Sequence, residues 1–341
     1  MKIAIYGAGS LGTIIGALLS KAGKDVDLID VNIAHVNALN EKGARIVGHM
    51  ELTQPVKAIC PDDMKEPYDY MFYLTKPTQN EVALPHLARY LKPDGIVIAC
   101  QNGLPEKAIA QVVGETRVVG CVIGWGATWM EPGVSKLTTP TDHMTFTLGT
   151  LDNQITDRVR AVEEMLHDVG IAQIAPDFIG GRWGKLIINC TFSAMGAIVN
   201  GTFGDVIDNP KAIRSAAFIY NEMMAIANAA GIKPISLDFA GFDYNMLTFQ
   251  TEQELEAKIP VFEFMAEPYR DIKTQILFDI EAGRYPEIDT TFNGIILNWG
   301  ERYGVPTPVN RQVVEMIREM ADGKLKLSAT NVDRITLPEL P

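Results

Sequence analysis

Short apolar segments alternate with amphipathic segments along the first half of this chain. The apolar runs predict strands, and the amphipathic segments at 79–91 and 106–113 predict helices between them. Strands and helices that alternate at this spacing are typical of a parallel, doubly wound sheet. The predicted strands lie at residues 3–6, 26–29, 44–47, 70–74, 96–100 and 118–123.

The pattern changes toward the middle of the chain. Stricter alternation and several threonines at 135–149 predict antiparallel strands added to the same sheet, followed by a helix at 156–169 and a strand at 171–174. After residue 180 helical patterns dominate, and Pro260 and Pro268 predict a break or kink in the third of them. These helical segments lie at 183–199, 212–230, 255–283, 288–303 and 311–323.

A glycine-rich turn stands between the first predicted strand and an apolar helix at 11–19. Its glycines follow the spacing G-x-G-x-x-G, with Ser10 and Leu11 between the second and the third. In this context Gly7 permits a tight turn, Gly9 lets the backbone approach a diphosphate, and Gly12 lets the helix pack closely on the strand. The N–H groups and the positive end of the helix would then bind the diphosphate of a dinucleotide.

Asp30 ends the second predicted strand, 18 residues beyond Gly12. A carboxylate at this place accepts hydrogen bonds from the ribose hydroxyls of the adenosine, whereas a 2′-phosphate would meet a negative charge. The nearest cations, Lys21 and Lys24, precede the strand. The sequence therefore favours NAD(H) over NADP(H), and the alternative is that Asp30 is an ordinary loop acid.

These features predict an α/β protein with two domains. A Rossmann-type doubly wound sheet domain at 1–178 is followed by an all-α domain at 179–327, and the aperiodic segment 328–341 is predicted to be a mobile tail. Ligands of open α/β sheets bind beyond the carboxyl ends of the strands. The reaction site is therefore expected in a cleft between the two domains.

Composition narrows the class of partner. The 341 residues carry a net charge of −12, which argues against nucleic acid and anionic membranes. With 47% hydrophobic residues, a mean hydropathy of +0.06 and no signal segment, the chain is predicted to be cytoplasmic. The widely spaced Cys60, Cys100, Cys121 and Cys190 are predicted to be reduced thiols, with no metal site.

Lys185 begins a strongly apolar helical segment and is a candidate for chemistry. Asn189 and Ser193 follow at i+4 and i+8, on or near the same helical face. A polar stripe in an apolar helix is costly to bury unless a polar group meets it, and a ligand could be that group. The alternative is a lysine that extends from the helix to solvent, with Asn189 bonded to a neighbouring element.

Three further polar residues occupy suggestive places. Lys76 follows the strand at 70–74, and Asn102 follows the next strand, where the nicotinamide of a bound cofactor would lie. Glu287 precedes the helix predicted from 288, whose dipole would stabilise a carboxylate that binds a substrate hydroxyl. Each has an ordinary alternative, namely a solvated lysine, an Asn-Gly turn and an acid at a helix start.

Taken together, these segments resemble the ketopantoate reductase family over nearly the whole chain, up to about residue 325. The resemblance implies nicotinamide-dependent reduction of a small branched 2-oxo acid, with 2-dehydropantoate as the leading substrate. It also implies a homodimer. The segments that carry it are GAGSLG at 7–12, LTK at 74–76, QNG at 101–103, WGKLIINC at 183–190 and EAGRYPEID at 281–289.

The resemblance assigns roles to five of the candidates. It implies that Lys185 is the general acid and that Glu287 binds the hydroxyl of the substrate and assists catalysis. It further implies that Asn189 orients the substrate, and that Lys76 and Asn102 line the cofactor and substrate site. An ammonium group can both stabilise a forming alkoxide and donate a proton to it, which agrees with the first of these roles.

Three positions depart from the pattern of the family. Asp30 stands where the family carries a cofactor-selecting arginine, Ser193 replaces an asparagine, and Gln275 replaces a substrate-binding serine. The last two would change the shape of the substrate pocket. Two alternatives therefore stay open, namely a related NAD-dependent dehydrogenase for another 2-oxo or hydroxy acid, and a non-catalytic sensor that binds NAD.

Overall fold

The computed structural model describes residues 1–236 and 242–341. The chain divides into two compact units, Met1–Phe178 and Ile179–Pro341. The first is built on a mainly parallel sheet and the second is helical, so the predicted fold class is confirmed.

The first unit contains two sheets. The longer one has eight strands in the order β12-β11-β8-β7-β6-β1-β2-β5, and the shorter one has the order β4-β3-β10-β9. The strands are β1 (Lys2–Tyr6), β2 (Asp25–Ile29), β3 (Ala44–Gly48), β4 (Leu52–Gln54), β5 (Lys57–Ile59), β6 (Tyr68–Tyr73), β7 (Leu91–Ala99), β8 (Val118–Ile123), β9 (Ala127–Glu131), β10 (Val134–Leu137), β11 (Thr145–Gly149) and β12 (Ile171–Ile174). The helices of this unit are α1 (Ser10–Lys21), α2 (Ile33–Lys42), α3 (Asn80–Arg89), α4 (Glu106–Val113) and α5 (Asp157–Leu166).

The order of the long sheet reverses at β1. Strand β1 pairs in parallel with β2 on one side and with β6 on the other, and β6 pairs in parallel with β7. Ligands of doubly wound sheets bind at the carboxyl ends of strands beside such a reversal. The glycine loop, Asp30, Lys76 and Asn102 follow β1, β2, β6 and β7 respectively, so all four lie at this edge.

Both faces of the long sheet are buried, as parallel sheets require. Along β1, Ile3 and Ile5 belong to one apolar cluster and Ala4 and Tyr6 to another. Since side chains of a strand alternate between faces, the two clusters are the cores on the two sides of the sheet. This is why the strands read as continuous apolar runs in the sequence.

The small sheet was not predicted. The run at 44–47 forms β3, and the first part of 135–149 forms β10; both strands lie in the small sheet. The second part of 135–149 forms β11, which joins the long sheet antiparallel to β8. The reason lies in α1, which is buried from Gly12 to Leu19 without interruption. A helix buried all round needs cover on both sides, and β3, β4, β9 and β10 contact it.

The second unit is helical in its described residues. Its helices are α6 (Phe178–Ile188), α7 (Ala194–Ile198), α8 (Phe203–Ile207), α9 (Pro210–Ala229), α10 (Glu252–Ala266), α11 (Gln275–Glu281), α12 (Asn293–Tyr303) and α13 (Pro308–Ala321). Among the residues that the structure describes in the two units, no helix is long and apolar enough to cross a membrane.

Two expectations for the second unit can be compared with the structure. The predicted break in 255–283 is confirmed, although α10 accommodates Pro260 and the chain leaves the helix at a 3₁₀ turn, Glu267–Tyr269, that contains Pro268. The mobility predicted for segment 328–341 stays a prediction, although the first part of the segment is packed in the structure. Val332 and Ile335 are 1% and 2% exposed, because a short 3₁₀ helix, Ala329–Arg334, packs these apolar side chains into the unit.

Candidate active site

The loop between β1 and α1 is shaped by two glycines that no other residue could replace without strain. Gly7 has a φ of 102°, and a Cβ there would lie 2.7 Å from the backbone nitrogen of Thr75. A Cβ on Gly12 would lie 2.3 Å from the carbonyl oxygen of Gly7. The glycines thus let the loop pack against the end of β6 and let α1 begin directly over the loop.

The third glycine has room above it. Gly9 is the N-cap of α1, and the position of a Cβ on it has no other heavy atom within 4 Å. No side chain caps this helix, and its first two residues, Ser10 and Leu11, are partly exposed. An uncapped N-terminus with open space beside it can bind an anion through its N–H groups, so these residues fit the diphosphate of a dinucleotide.

Asp30 is held in a turn at the end of β2. Its Oδ1 accepts a hydrogen bond from the backbone N–H of Asn32 at 2.9 Å, and its own N–H donates to the carbonyl of Ile59 at 3.2 Å. Its side chain is partly exposed. These contacts fix the carboxylate at the same sheet edge as the glycine loop.

His35 is a positioning residue of the glycine loop that the sequence analysis did not identify. It is fully buried, its Nε2 lies 2.7 Å from the carbonyl oxygen of Ala8, and its Nδ1 accepts a hydrogen bond from Gly133 N–H at 2.9 Å. The ring therefore joins the loop to the hairpin of β9 and β10, and Trp129 packs on it with ring centroids 4.4 Å apart. The only sequence signal is that His35, Val36 and Leu39 share the buried face of α2.

We expect the first unit to lose stability as the pH falls below the ordinary histidine value of 6.5. Burial lowers the pKa of His35, against the opposing effects of the Ala8 carbonyl and the charge of Asp30. The folded state therefore favours the neutral ring. The stabilisation is fully present above pH 6.5 and is lost as the pH falls toward the lowered pKa. The free energy of unfolding should decrease by at most about 1.4 kcal/mol for each pH unit. Thermal unfolding at pH 7.5 and 5.5 would measure this loss. The loss of stability should be smaller in His35→Gln than in the unmodified protein. It should be as large as in the unmodified protein in His143→Gln, whose ring is exposed. Equal losses in the unmodified protein and both variants would contradict the expectation.

The loops after β6 and β7 are joined by Gln101, the first residue of the QNG motif, for which the sequence alone predicted no separate role. Buried Gln101 donates from Nε2 to the carbonyl of Thr75 at 2.7 Å and to Oδ1 of Asn80 at 2.9 Å. Its neighbours in these loops are Lys76, which is partly exposed, and Asn102, which is exposed. Gln101 thus brings the two segments together at the edge where the glycine loop lies.

Lys185 does not begin its helix, contrary to the prediction. Helix α6 begins at Phe178, and Lys185 lies in its last turn. The glycines at 180 and 184, which precede Lys185 in this helix, serve a close contact. Ile235 N–H donates to the carbonyl of Gly180 at 3.0 Å, and a Cβ on Gly184 would lie 2.0 Å from the carbonyl oxygen of Ile235.

A polar stripe runs along this helix. Lys185, Asn189 and Ser193 are partly exposed, whereas the residues on either side of each, apart from Ile188, are buried. Residues Asn189–Ser193 form a π-helical turn between α6 and α7. Turns of this type occur often at functional sites, and this one carries two of the three polar residues.

Glu287 lies in a turn, and helix α12 begins only at Asn293. The stabilisation by a helix dipole that the sequence suggested is therefore wrong, because that effect fades beyond the first helical turn. Instead the hydroxyl of Thr291 donates to Oε2 of Glu287 at 3.0 Å. At the end of the same turn, Nδ2 of Asn293 donates to the carbonyl of Cys190 at 3.1 Å, which connects this segment to the π turn.

Gln275 is the first residue of α11 and is exposed. Its Nε2 donates to Oδ1 of Asp279 at 3.2 Å, and the guanidinium of Arg284 binds the same carboxylate at 2.8 Å. Gln275 is therefore tied to the segment that leads to Glu287. Within the described residues, no group of three His, Cys, Asp or Glu side chains could bind a metal ion.

These features define a two-unit α/β protein with a dinucleotide-type glycine loop and a helical unit that presents a polar stripe with a lysine. Two family models match it in order. Ketopantoate reductase PanE/ApbA matches residues 3–153, and the C-terminal ketopantoate reductase PanE/ApbA model matches residues 177–321. The chain belongs to the ketopantoate reductase family of oxidoreductases.

Individual relatives share less than a third of their residues with this chain. A 2-dehydropantoate 2-reductase of Pyrococcus horikoshii is 29% identical over 91% of this chain and 94% of its own length. Two solved structures share the fold. A ketopantoate reductase from Ralstonia eutropha JMP134 has a TM-score of 0.81 at 22% identity, covering 95% of this chain and 99% of its own. A D-mandelate dehydrogenase, solved with NADH and anilino(oxo)acetate, has a TM-score of 0.77 at 23% identity with the same coverage.

Proposed function

We propose that this protein reduces the 2-oxo group of a small acid to a hydroxyl group with a nicotinamide cofactor, and that 2-dehydropantoate is the leading substrate. The observation that carries the proposal is the half-buried stripe of Lys185, Asn189 and Ser193 on a largely buried, apolar helical segment, in a chain of this family. The curated relatives named 2-dehydropantoate 2-reductase support the choice of substrate.

Each group of the site has a proposed task in this reaction. When bound, the reduced nicotinamide would supply a hydride to the carbonyl carbon of the substrate. Lys185 would donate a proton to the carbonyl oxygen as negative charge develops there, and its ammonium charge would stabilise that oxygen. Asn189 and Ser193 would orient the acid by hydrogen bonds, and Glu287 would bind its hydroxyl group.

The first unit would bind the cofactor. The N–H groups at the start of α1, beside Gly9, would hold the diphosphate, and Asp30 would accept hydrogen bonds from the adenosine ribose. Lys76 and Asn102, at the same sheet edge, would line the nicotinamide end. This cradle and the carboxylate support NAD(H) over NADP(H) as the preferred cofactor.

The second candidate is a dehydrogenase of the same family that acts on another 2-oxo or 2-hydroxy acid. The residues that favour it are Ser193 and Gln275, which stand where the family pattern has an asparagine and a serine. A shorter hydroxyl and a longer amide would change the shape of the substrate pocket and so the acid that fits it.

A substrate panel tests both candidates. The purified protein is mixed with NADH or NADPH and with 2-dehydropantoate, 2-oxoisovalerate, pyruvate or phenylglyoxylate, and loss of absorbance at the nicotinamide band is followed. The highest kcat/KM with 2-dehydropantoate would support the first candidate, and a higher value with another acid would support the second. Binding of NADH without turnover of any acid would favour the sensor.

We expect Asp30→Ala to narrow the preference for NADH over NADPH. The alanine removes the charge that would repel a 2′-phosphate and also the acceptor for the ribose hydroxyls, so kcat/KM should fall with NADH and rise with NADPH. The ratio of the two kcat/KM values should change about tenfold, which corresponds to about 1.4 kcal/mol. Asp25→Ala, an exposed acid at the other end of β2, is the control. If the ratio of kcat/KM with NADH to kcat/KM with NADPH does not change in Asp30→Ala, Asp30 does not determine the cofactor preference.

The homodimer implied by the resemblance stays a prediction. Light scattering after size-exclusion chromatography would give the mass of the particle in solution. A mass near twice that of the 37.5 kDa chain would support it.

A further inference from the structure

The backbone carbonyl of Cys190 accepts a hydrogen bond from a side chain of another helix. It lies in the π turn Asn189–Ser193, where hydrogen bonds close over five residues and the regular α-helical pairing of the backbone is interrupted. The side chain of Asn293, from the start of α12, donates Nδ2 to this carbonyl at 3.1 Å. Both residues are fully buried, so water does not compete for the contact.

The orientation of the Asn293 amide is determined by a buried chain of hydrogen bonds. Glu222 accepts hydrogen bonds at 2.8 Å from Val309 N–H, at 3.0 Å from Asn310 N–H and at 2.8 Å from Nδ2 of Asn310. All three partners of the Glu222 carboxyl are N–H groups, so its oxygens act as acceptors and the NH₂ group of Asn310 is turned toward them. Oδ1 of Asn310 then accepts from Nδ2 of Asn293 at 2.8 Å, and the second N–H of that amide points to Cys190.

The π turn has a geometric consequence for the polar stripe. In an α-helix with 3.6 residues per turn, side chains eight residues apart diverge by about 80° around the axis. A π turn contains one residue more, so it rotates Ser193 back toward the line of Lys185 and Asn189. All three are partly exposed in the structure, whereas Cys190, between two of them in the chain, is buried.

We propose that Asn293 is a positioning residue, oriented by Asn310 and Glu222, which holds the π turn through the Cys190 carbonyl and so aligns Asn189 and Ser193 with Lys185. This proposal rests on the proposed function, which assigns the roles of Lys185, Asn189 and Ser193 in the reaction. The π turn itself can be observed without activity.

The first experiment is Asn293→Ala. We expect kcat for the 2-oxo acid to fall about 10- to 100-fold per folded molecule, since small displacements of positioning groups have effects of this size. KM for the acid should rise, whereas the dissociation constant of NADH should not change, because the glycine loop belongs to the first unit. A crystal structure and hydrogen–deuterium exchange of residues 189–193 should show the π turn lost or exchanging faster.

The control is Asn40→Ala. Nδ2 of Asn40 donates to the carbonyl of Ala58 at 2.8 Å and its Oδ1 accepts from Ala58 N–H at 2.9 Å, so the substitution removes similar side-chain bonds in the first unit, whereas the π turn belongs to the second. It should leave kcat per folded molecule and exchange at 189–193 as in the unmodified protein. If Asn293→Ala behaves like this control, the proposal is wrong.

A second variant keeps the test decisive if Asn293→Ala fails to fold. Glu222→Gln preserves volume but introduces an NH₂ group, which removes the requirement that orients Asn310 and, through it, Asn293. We expect faster exchange at 189–193 and a smaller fall in kcat than for Asn293→Ala. Unchanged exchange and unchanged kcat would overturn the proposal. If the unmodified protein reduces no 2-oxo acid, the proposed function fails, and the exchange measurement still decides the role of Asn293.

Discussion

Replacing Lys185 with alanine should lower kcat for the 2-oxo acid by about 10²- to 10⁴-fold, the usual contribution of a general acid. The alanine removes both the proton donor and the positive charge beside the developing oxyanion. Binding of NADH should persist, because the glycine loop lies in the first unit and the lysine in the second. Steady-state kinetics and fluorescence titration with NADH would measure the two effects separately.

Two further variants separate the roles of the lysine. Lys185→Arg keeps the charge but not an acid that can release its proton near neutral pH, so it should recover little of the lost kcat if proton donation dominates. Lys233→Ala removes an exposed lysine of the same unit and should have no effect. Loss of NADH binding with turnover retained in Lys185→Ala would refute the assignment.

Gly12→Ala should both destabilise the protein and prevent binding of NADH. The new Cβ would lie 2.3 Å from the carbonyl oxygen of Gly7, a backbone atom that cannot move without opening the loop. Overpacking of this kind costs about 1–3 kcal/mol or more. Thermal unfolding without cofactor and titration with NADH would show the two losses.

Gly9→Ala is the matched variant, in which only binding should suffer. The Cβ would have open space around it and the φ of −63° suits alanine, so the free protein should be as stable as before or more stable by up to about 1 kcal/mol. If the diphosphate occupies that space, the dissociation constant of NADH should rise at least about tenfold, or 1.4 kcal/mol. Unchanged affinity in this variant would mean that the diphosphate does not bind beside Gly9.

Much of the first unit could be predicted because its signals are local. The strand at 171–174, the helix at 106–113 and the strand at 118–123 have the predicted bounds, since apolar periodicity and glycine boundaries suffice to define them. The order of glycines at 7–12 also predicted a loop whose close contacts the structure displays.

Other elements depend on partners distant in the chain. The run at 44–47 reads as a strand in any sheet, and only the need to cover the second side of α1 assigns it to the small sheet. The glycines at 180 and 184 lie inside α6, and their role becomes visible only when Ile235 is placed against them. Neither decision has a local signal, because each results from contacts between separate segments of the chain, β3 with α1 and β10 in one case and α6 with Ile235 in the other.

The sequence by itself determined the class of fold, the family and the residue types available for chemistry, since glycine spacing, apolar periodicity and the polar residues at strand and helix ends are properties of the chain. Tertiary structure alone decided where Lys185 lies in its helix, that a π turn interrupts the helix at Asn189, and that His35 and Asn293 support the candidate residues. The physical reason is that a buried polar group must find a partner, and that partner can lie anywhere in the chain.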